Sequence, residues 1–210
     1  MNRFFLMALV ALLCIGFGFV FSCGDDDDPS TSSGQADDEG DDDDTFGVDD
    51  DDDDDDSEFD CSGNVCTDNT TGLMWLNTQH GDLWGEASAH CQNLDHWDYT
   101  DWRLPTVDEL RTLMRGCPAT ETGGSCGVTA ACLEETCADE SCLGLDYGQG
   151  PGPDGCYLPE ELDDFCDWYW SSDAVADNDE RYWVIVFNTG RIENRDEEGD
   201  ASVLCVREVD

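Results

Sequence analysis

The sequence contains no lysine, and its 210 residues include only eight arginines against 52 aspartates and glutamates. The formal net charge at pH 7 is -44. Proteins that bind nucleic acids need clustered basic side chains to neutralise phosphates. This composition therefore argues against a nucleic-acid partner and indicates a surface that repels anions.

Recognisable catalytic patterns are also missing. The sequence has no Ser-His-Asp arrangement and no glycine-rich loop of the kind that binds phosphates. Its three histidines, His80, His90 and His96, do not stand at the spacing of a nucleophile and its base. The carboxylates are too numerous for one catalytic pair to be singled out. We therefore expect a protein that is not an enzyme.

Charge is almost absent from the first 24 residues, where Arg3 is the single charged side chain. An apolar run follows from Phe4 to Phe21. A short positive region before an apolar region is typical of an export signal, although this length also permits an uncleaved transmembrane anchor. Gly16 and Gly18 weaken the second half of such a helix, which favours the export signal.

The apolar run ends in the stretch VFSC at residues 20–23. This stretch resembles the lipobox of bacterial lipoproteins, in which the cysteine receives a diacylglycerol and the signal is then removed. The resemblance implies a signal peptide at residues 1–22 and a membrane partner reached through lipidated Cys23. Gly24 follows directly, so the common residue for inner-membrane retention is missing there and the outer membrane is favoured.

Acidic residues dominate the segment 23–60, which has 19 aspartates, two glutamates and no basic residue. Such a segment buries little apolar surface, so we expect a disordered tether extended by its own charge. The alternative is a low-affinity store for calcium, because carboxylates suit hard cations. A disordered run offers no fixed geometry for a tight site, so we expect no cofactor beyond this weak calcium binding.

Cysteines are abundant, with eleven of the thirteen at or after Cys61. In an exported chain they indicate a disulfide framework, and the odd count leaves one cysteine free, intermolecular or otherwise modified. Seven cysteines fall in residues 117–166, which we call the Cys-rich insert and expect to be a disulfide-stapled loop region of undetermined pairing. The alternative is a zinc site at Cys132, Cys137 and Cys142, although their spacing is not that of zinc knuckles.

The residues from Cys61 onward contain all seven tryptophans and can build a core, so residues 61–210 are predicted to be the folded domain. Apolar periodicity and turn residues predict an α+β fold. The second helix has the clearest start, a capping box of Thr106 and Glu109, and Gly116 ends it. The other expected elements are a hairpin of strands 65–68 and 73–76, a helix over 83–94, strands 168–172, 182–188 and 202–209, and a closing turn at 188–191.

Six blocks of residues then carry a resemblance. They are TDNTTGLMW (67–75), WGEASAHCQNL (84–94), DWRLPTVDELRTLM (101–114), YWSS (169–172), YWVIVFNTG (182–190) and VLCVR (203–207). Together, from about Cys66 to Arg207 and without the insert, they resemble the bacterial family named after the Lcl C-terminal domain. That family is similar to the C-type-lectin-like fold and to formylglycine-generating enzymes. The resemblance implies an antiparallel sheet with two helices, a long loop region and neighbouring chain ends.

The resemblance also implies a disulfide between the first helix and the last strand, which here is Cys91 with Cys205. Cys61 and Cys66 can close the N-terminal hairpin. Closing the long loop between Cys91 and Cys205 contributes about 4–5 kcal/mol in the chain-entropy model.

A binding role is the first functional hypothesis, because lectin-like folds carry ligand sites on their long loops. Sulfated polysaccharides, which the Lcl adhesin binds, do not suit so negative a domain, and the tripeptides for calcium-dependent sugar binding are absent. A neutral surface glycan or an envelope protein is expected instead. The expected ligand surface consists of Trp168, Trp170, Asn178 and Asp179. The alternatives are a structural envelope protein and, less favoured, an enzyme related to the formylglycine-generating fold.

Overall fold

The computed structural model describes residues 57–162 and 166–209. The predicted signal peptide, the lipidation site Cys23 and the acidic tether up to residue 56 lie outside the described residues. Within the described residues, no helix is long and apolar enough to cross a membrane.

The fold is α+β and is built on one seven-stranded sheet. The strands follow the order β1-β2-β3-β7-β4-β5-β6 across the sheet. All neighbours are antiparallel except β4 and β7, which run parallel where Tyr169 pairs with Ser202. The described sheet is therefore mixed, and the expectation of a wholly antiparallel sheet was wrong. The elements are β1 Phe59–Ser62, β2 Val65–Asp68, β3 Leu73–Asp82, α1 Trp84–Gln92, α2 Val107–Arg111, β4 Trp168–Val175, β5 Asn178–Val186, β6 Arg191–Asp196 and β7 Ala201–Glu208.

The strand β1 was not predicted, and it lies partly within the segment expected to be a disordered tether. Phe59 is 4% exposed and packs into the core, and it pairs with Asp68 of β2. The folded part therefore begins at least two residues before the predicted boundary at Cys61. One phenylalanine between acidic residues carries too weak a periodic signal to reveal a strand.

Both faces of the sheet are covered, which explains the continuous apolar runs in its strands. Side chains alternate along a strand, so neighbouring residues enter different cores. Trp75 and Tyr169 pack with α2 and the Cys-rich insert, whereas Leu76 and Trp170 pack with α1. The strand β7 lies between β3 and β4, so the last strand pairs with the third one, and the first strand β1 lies at the edge of the sheet.

The second helix is shorter than predicted, although its start is as expected. The Thr106 side chain accepts a hydrogen bond from the Glu109 amide, and the Glu109 carboxylate accepts one from the Thr106 amide. The helix ends at Arg111 rather than near Gly116. The backbone amide of Arg115 donates to the carbonyl of Tyr157 at 2.8 Å. The insert thus takes the hydrogen bond that would have continued the helix.

Disulfides connect the folded part of the chain. Cys91 and Cys205, both fully buried, join α1 to β7, and Cys61 and Cys66 join the paired strands β1 and β2. These are the two pairings that were expected. The five described pairs do not include Cys117. This cysteine is buried and is also disulfide-bonded. The five pairs are Cys61–Cys66, Cys91–Cys205, Cys126–Cys142, Cys132–Cys137 and Cys156–Cys166.

The Cys-rich insert is a looped region held by three of these disulfides and four short 3₁₀ turns. Cys132 and Cys137 are bonded to each other, and Cys142 is bonded to Cys126. All three cysteines of the zinc alternative are thus consumed in disulfides, so that alternative was wrong. The insert packs back on the sheet, where the Trp183 indole donates to the carbonyl of Leu133 at 3.1 Å.

Candidate functional site

A cleft of about 500 Å³ opens beside α2. Its walls come from the turn after β2, from α2 and from the first part of the Cys-rich insert, so three separate segments of the chain form it. This volume lies in the range of sites for small molecules. Its lining includes Thr71, Asp108, Glu109, Arg111, Thr122 and Thr129.

The floor of the cleft is organised by Arg111, which is 2% exposed. Burial lowers the pKa of its guanidinium, because a low-dielectric surrounding disfavours the charged form. The guanidinium donates four hydrogen bonds to backbone carbonyls and thereby folds residues 120–128 around the end of α2. Its acceptors are the carbonyl oxygens of Thr120 at 3.0 Å, Glu121 at 2.7 Å, Cys126 at 3.2 Å and Val128 at 2.7 Å.

The Glu109 carboxylate at the cleft is also committed to partners within the chain. Both of its oxygens accept from the Arg103 guanidinium, at 2.6 and 2.8 Å. Burial acts to raise the pKa of Glu109, but the hydrogen bonds from Arg103 and Thr106 outweigh it and hold the pKa below its ordinary value. The pair therefore stays ionised at neutral pH and presents little net charge to a ligand.

A second carboxylate, that of Asp173, is bonded to the start of α2. Its Oδ2 accepts from the amide of Val107 at 2.7 Å. Burial raises its pKa, and the negative charges of Asp108 and Glu109 act in the same direction. Asp108 and Glu109, which act on Asp173 in this way, are also among the residues that line the cleft.

The other polar groups that line the cleft are threonine hydroxyls and the Asp108 carboxylate. The Thr71 hydroxyl is used to donate to Asp68 at 2.7 Å. Asp108 accepts from the amide of Ala130 through one oxygen. The other Asp108 oxygen and the hydroxyls of Thr122 and Thr129 are suited to hydrogen bonds with the hydroxyls of a neutral ligand. Among the described residues, no group of three or more His, Cys, Asp or Glu side chains could hold a metal ion.

The four residues of the expected ligand surface are not brought together. Val175 pairs with Asn178 across the turn between β4 and β5, whereas Trp168 pairs with Val186 at the far end of the same hairpin. At about 3.3 Å per residue, the two ends are about 20 Å apart. The expected surface of Trp168, Trp170, Asn178 and Asp179 is therefore not one site.

The two tryptophans of that surface differ in what they offer. Trp170 is fully buried, and its indole donates to the carbonyl of Asp82 at 2.8 Å, so it cannot contact a ligand. Trp168 is half-buried, and the guanidinium of Arg195 lies 4.6 Å from its ring centre. The two residues share one face of β4, because side chains two apart point the same way, and they pack on the same core. They differ in position along the strand, since Trp168 is its first residue.

The cleft was not predicted from the sequence, because its nine lining residues are spread from Thr71 to Thr129 and four of them are threonines. Threonine is common in turns and strands and carries little functional information. Arg111 was the one sequence signal that pointed to the cleft. It is a charged residue between Leu110 and Leu113, on a helix with an apolar stripe. Such a residue must find buried acceptors, and those acceptors form the wall of the cleft.

Comparison with known proteins gives one match. The model of the family described as the Lcl C-terminal domain matches residues 64–207. No curated protein matches the chain.

Proposed function

The chain belongs to the Lcl C-terminal domain family, and on that premise we propose that it is a lipid-anchored protein of the cell envelope. Its lectin-like domain binds a neutral, hydroxyl-rich ligand, a surface glycan, in the cleft beside α2. The observation that carries the proposal is the cleft itself, in which Arg111 and Glu109 are committed to partners within the chain and Thr122 and Thr129 are among the lining residues.

Three features support the lectin-like assignment. The early strand β3 pairs antiparallel with the last strand β7. Two helices and a long loop region accompany the sheet. The bridge from Cys91 to Cys205 joins the first helix to the last strand. Each is a feature that the resemblance implies.

The disulfides support export, because they persist in oxidising compartments and are rare in the cytosol. Five pairs stabilise the described residues. A triacylated Cys23 provides the two or more acyl chains that stable anchoring needs. The acidic segment after it acts as the tether, and Gly24 favours the outer membrane over the inner one.

The binding half of the proposal is tested with the double substitution of Thr122 and Thr129 to valine. Valine keeps the shape of threonine and removes the hydroxyl, so the fold is retained while ligand hydrogen bonds are lost. We expect the full chain to bind neutral oligosaccharides on a glycan array, and the double variant to lose about tenfold in affinity. The array also carries sulfated glycans, and binding is measured both with and without calcium.

The matched control is Thr136→Val, at an exposed threonine of the insert outside the cleft, which should bind like the original chain. Equal affinity of the double variant and the control would place the ligand elsewhere. Binding to no glycan at all would overturn the proposal in favour of the structural envelope protein. Preferential binding of sulfated glycans would contradict the argument from charge.

The anchoring half is tested at Cys23. In a bacterial host, Cys23→Ser should abolish incorporation of labelled fatty acid and leave the signal uncleaved, which gives a larger product by mass spectrometry. Cys14→Ser is the matched control and should be acylated and processed normally. Normal processing of Cys23→Ser would contradict the lipoprotein assignment, and an unprocessed original chain would support the uncleaved anchor.

A further inference from the structure

We propose that Trp97 is the anchor of a second recognition surface, which binds a lysine or arginine side chain of a basic protein partner. Trp97 is not among the residues that line the cleft. The surface therefore goes beyond the proposed glycan site and can be tested independently of it.

The exposure of Trp97 sets it apart from the other six tryptophans. Trp97 is 50% exposed. Trp84 and Trp168 are half-buried and contact Tyr182 and Arg195 respectively. An exposed tryptophan is costly to keep in water, and tryptophan is enriched among the residues that dominate protein interfaces. The four others are buried, namely Trp75, Trp102, Trp170 and Trp183.

The backbone at Trp97 is left-handed, a conformation that disfavours a bulky side chain. His96 and Tyr99 exchange two backbone hydrogen bonds of 3.1 Å each, which closes a two-residue turn. Trp97 and Asp98 occupy it with φ angles of 55° and 65°. Turns with both residues left-handed strongly prefer Asn-Gly, which adopts this conformation with little strain. Here a bulky ring is held in the strained conformation instead, at the tip of the turn.

The base of this turn is fixed to the sheet. The Arg207 guanidinium lies 3.8 Å from the centre of the Tyr99 ring, and its Nε donates to Asp101 at 2.8 Å. Arg207 belongs to β7 and is 3% exposed. Trp97 is thus presented on a rigid support, and a partner that binds it loses little freedom in the protein.

The negative charge around Trp97 favours a cationic ligand. Aromatic faces attract cations through their quadrupole, and in this domain Tyr99 and Trp168 are already paired with arginines. Among the described residues no arginine lies over Trp97, and the chain has no lysine. Asp95 and Asp98, next to it in sequence, are exposed. The His96 ring is stacked on Trp97 with 5.7 Å between the ring centres, and a lysine or arginine over Trp97 must come from a partner.

The same charge favours a protein over a choline lipid as the source of that cation. A phosphocholine headgroup carries a phosphate beside its ammonium group, and the acidic domain repels phosphate. A lysine or arginine side chain on a basic protein surface brings no such anion.

The test is a titration of the full chain followed by NMR of the tryptophan indole N–H groups. The Trp97 signal is assigned as the one that is lost in Trp97→Phe. The probes are N-acetyl-lysine methylamide and N-acetyl-arginine methylamide, with N-acetyl-norleucine methylamide as the uncharged control of similar length. Free phosphocholine is a further probe and represents the headgroup of a choline lipid. All titrations are made at constant ionic strength.

We expect a saturable shift of the Trp97 signal with at least one basic probe and a shift at least fivefold smaller with norleucine. Asp98→Asn should weaken the basic probe about twofold, whereas Asp146→Asn, at an exposed aspartate of the insert, should leave it unchanged. An absent shift, an equal shift with norleucine, or an equal effect of the two Asp variants would overturn the proposal. A larger shift with phosphocholine would replace the protein partner by a lipid headgroup.

Discussion

Replacing Cys91 and Cys205 together with alanine is expected to lower the free energy of unfolding by at least about 4 kcal/mol. The two cysteines are 114 residues apart in sequence, so their bond removes a large amount of chain entropy from the unfolded state. Both side chains are fully buried between α1 and β7, so the substitution also leaves a cavity, which adds to the loss. The total free energy of unfolding of a single domain is only about 5–15 kcal/mol.

Other disulfides lie inside this loop and change the estimate only slightly. The pairs Cys126–Cys142 and Cys156–Cys166 shorten the path between Cys91 and Cys205 by 16 and 10 residues. Because the loop entropy depends on the logarithm of length, this lowers the contribution by only about 0.2 kcal/mol. The long bridge therefore remains the largest covalent contribution among the described pairs.

The matched control is the double alanine variant of Cys132 and Cys137, which are only five residues apart. The same entropy relation gives a loss of about 2 kcal/mol for this short loop. Urea unfolding followed by tryptophan fluorescence measures both, because four tryptophans are buried in the cores. Equal losses in the two variants would contradict the entropic argument and show that local packing decides the cost.

Elements with a local signal were predictable from the sequence. The capping box fixed the start of α2 at Thr106 because both of its hydrogen bonds are made within four residues. The hairpin of β2 and β3 followed from a turn between two apolar runs. The pairing of Cys91 with Cys205 followed from the resemblance, because nothing local connects residues so far apart.

Features that depend on distant contacts were not predictable. Beyond the end of α2, the amide of Arg115 donates to the carbonyl of Tyr157, which is 42 residues away in the sequence. The burial of Trp170 depends on which face of β4 each residue takes, and both faces are covered. The cleft required the insert to fold around Arg111, and no spacing in the sequence expresses that contact. The candidate site was therefore less predictable than the fold.

Replacing Arg111 with leucine is expected to destabilise the domain by about 3–5 kcal/mol. The guanidinium is the donor to four carbonyls of the insert, and leucine would leave these acceptors without it. Arg111→Lys keeps the charge but not the planar fork of donors, so most of the loss should remain. The midpoint of urea unfolding measures both variants.

The matched control for Arg111 is Arg191→Leu, because Arg191 is an exposed arginine at the start of β6, and a change there should stay within about 0.5 kcal/mol. Loss of the Arg111 contacts should also release residues 120–128 from the end of α2, so amide hydrogen exchange should rise in that segment first. Since Thr122 lies in that segment, glycan affinity should fall under conditions in which the sheet remains folded. Unchanged exchange in that segment would show that the insert is held by its disulfides alone, and would separate the stability of the cleft from Arg111.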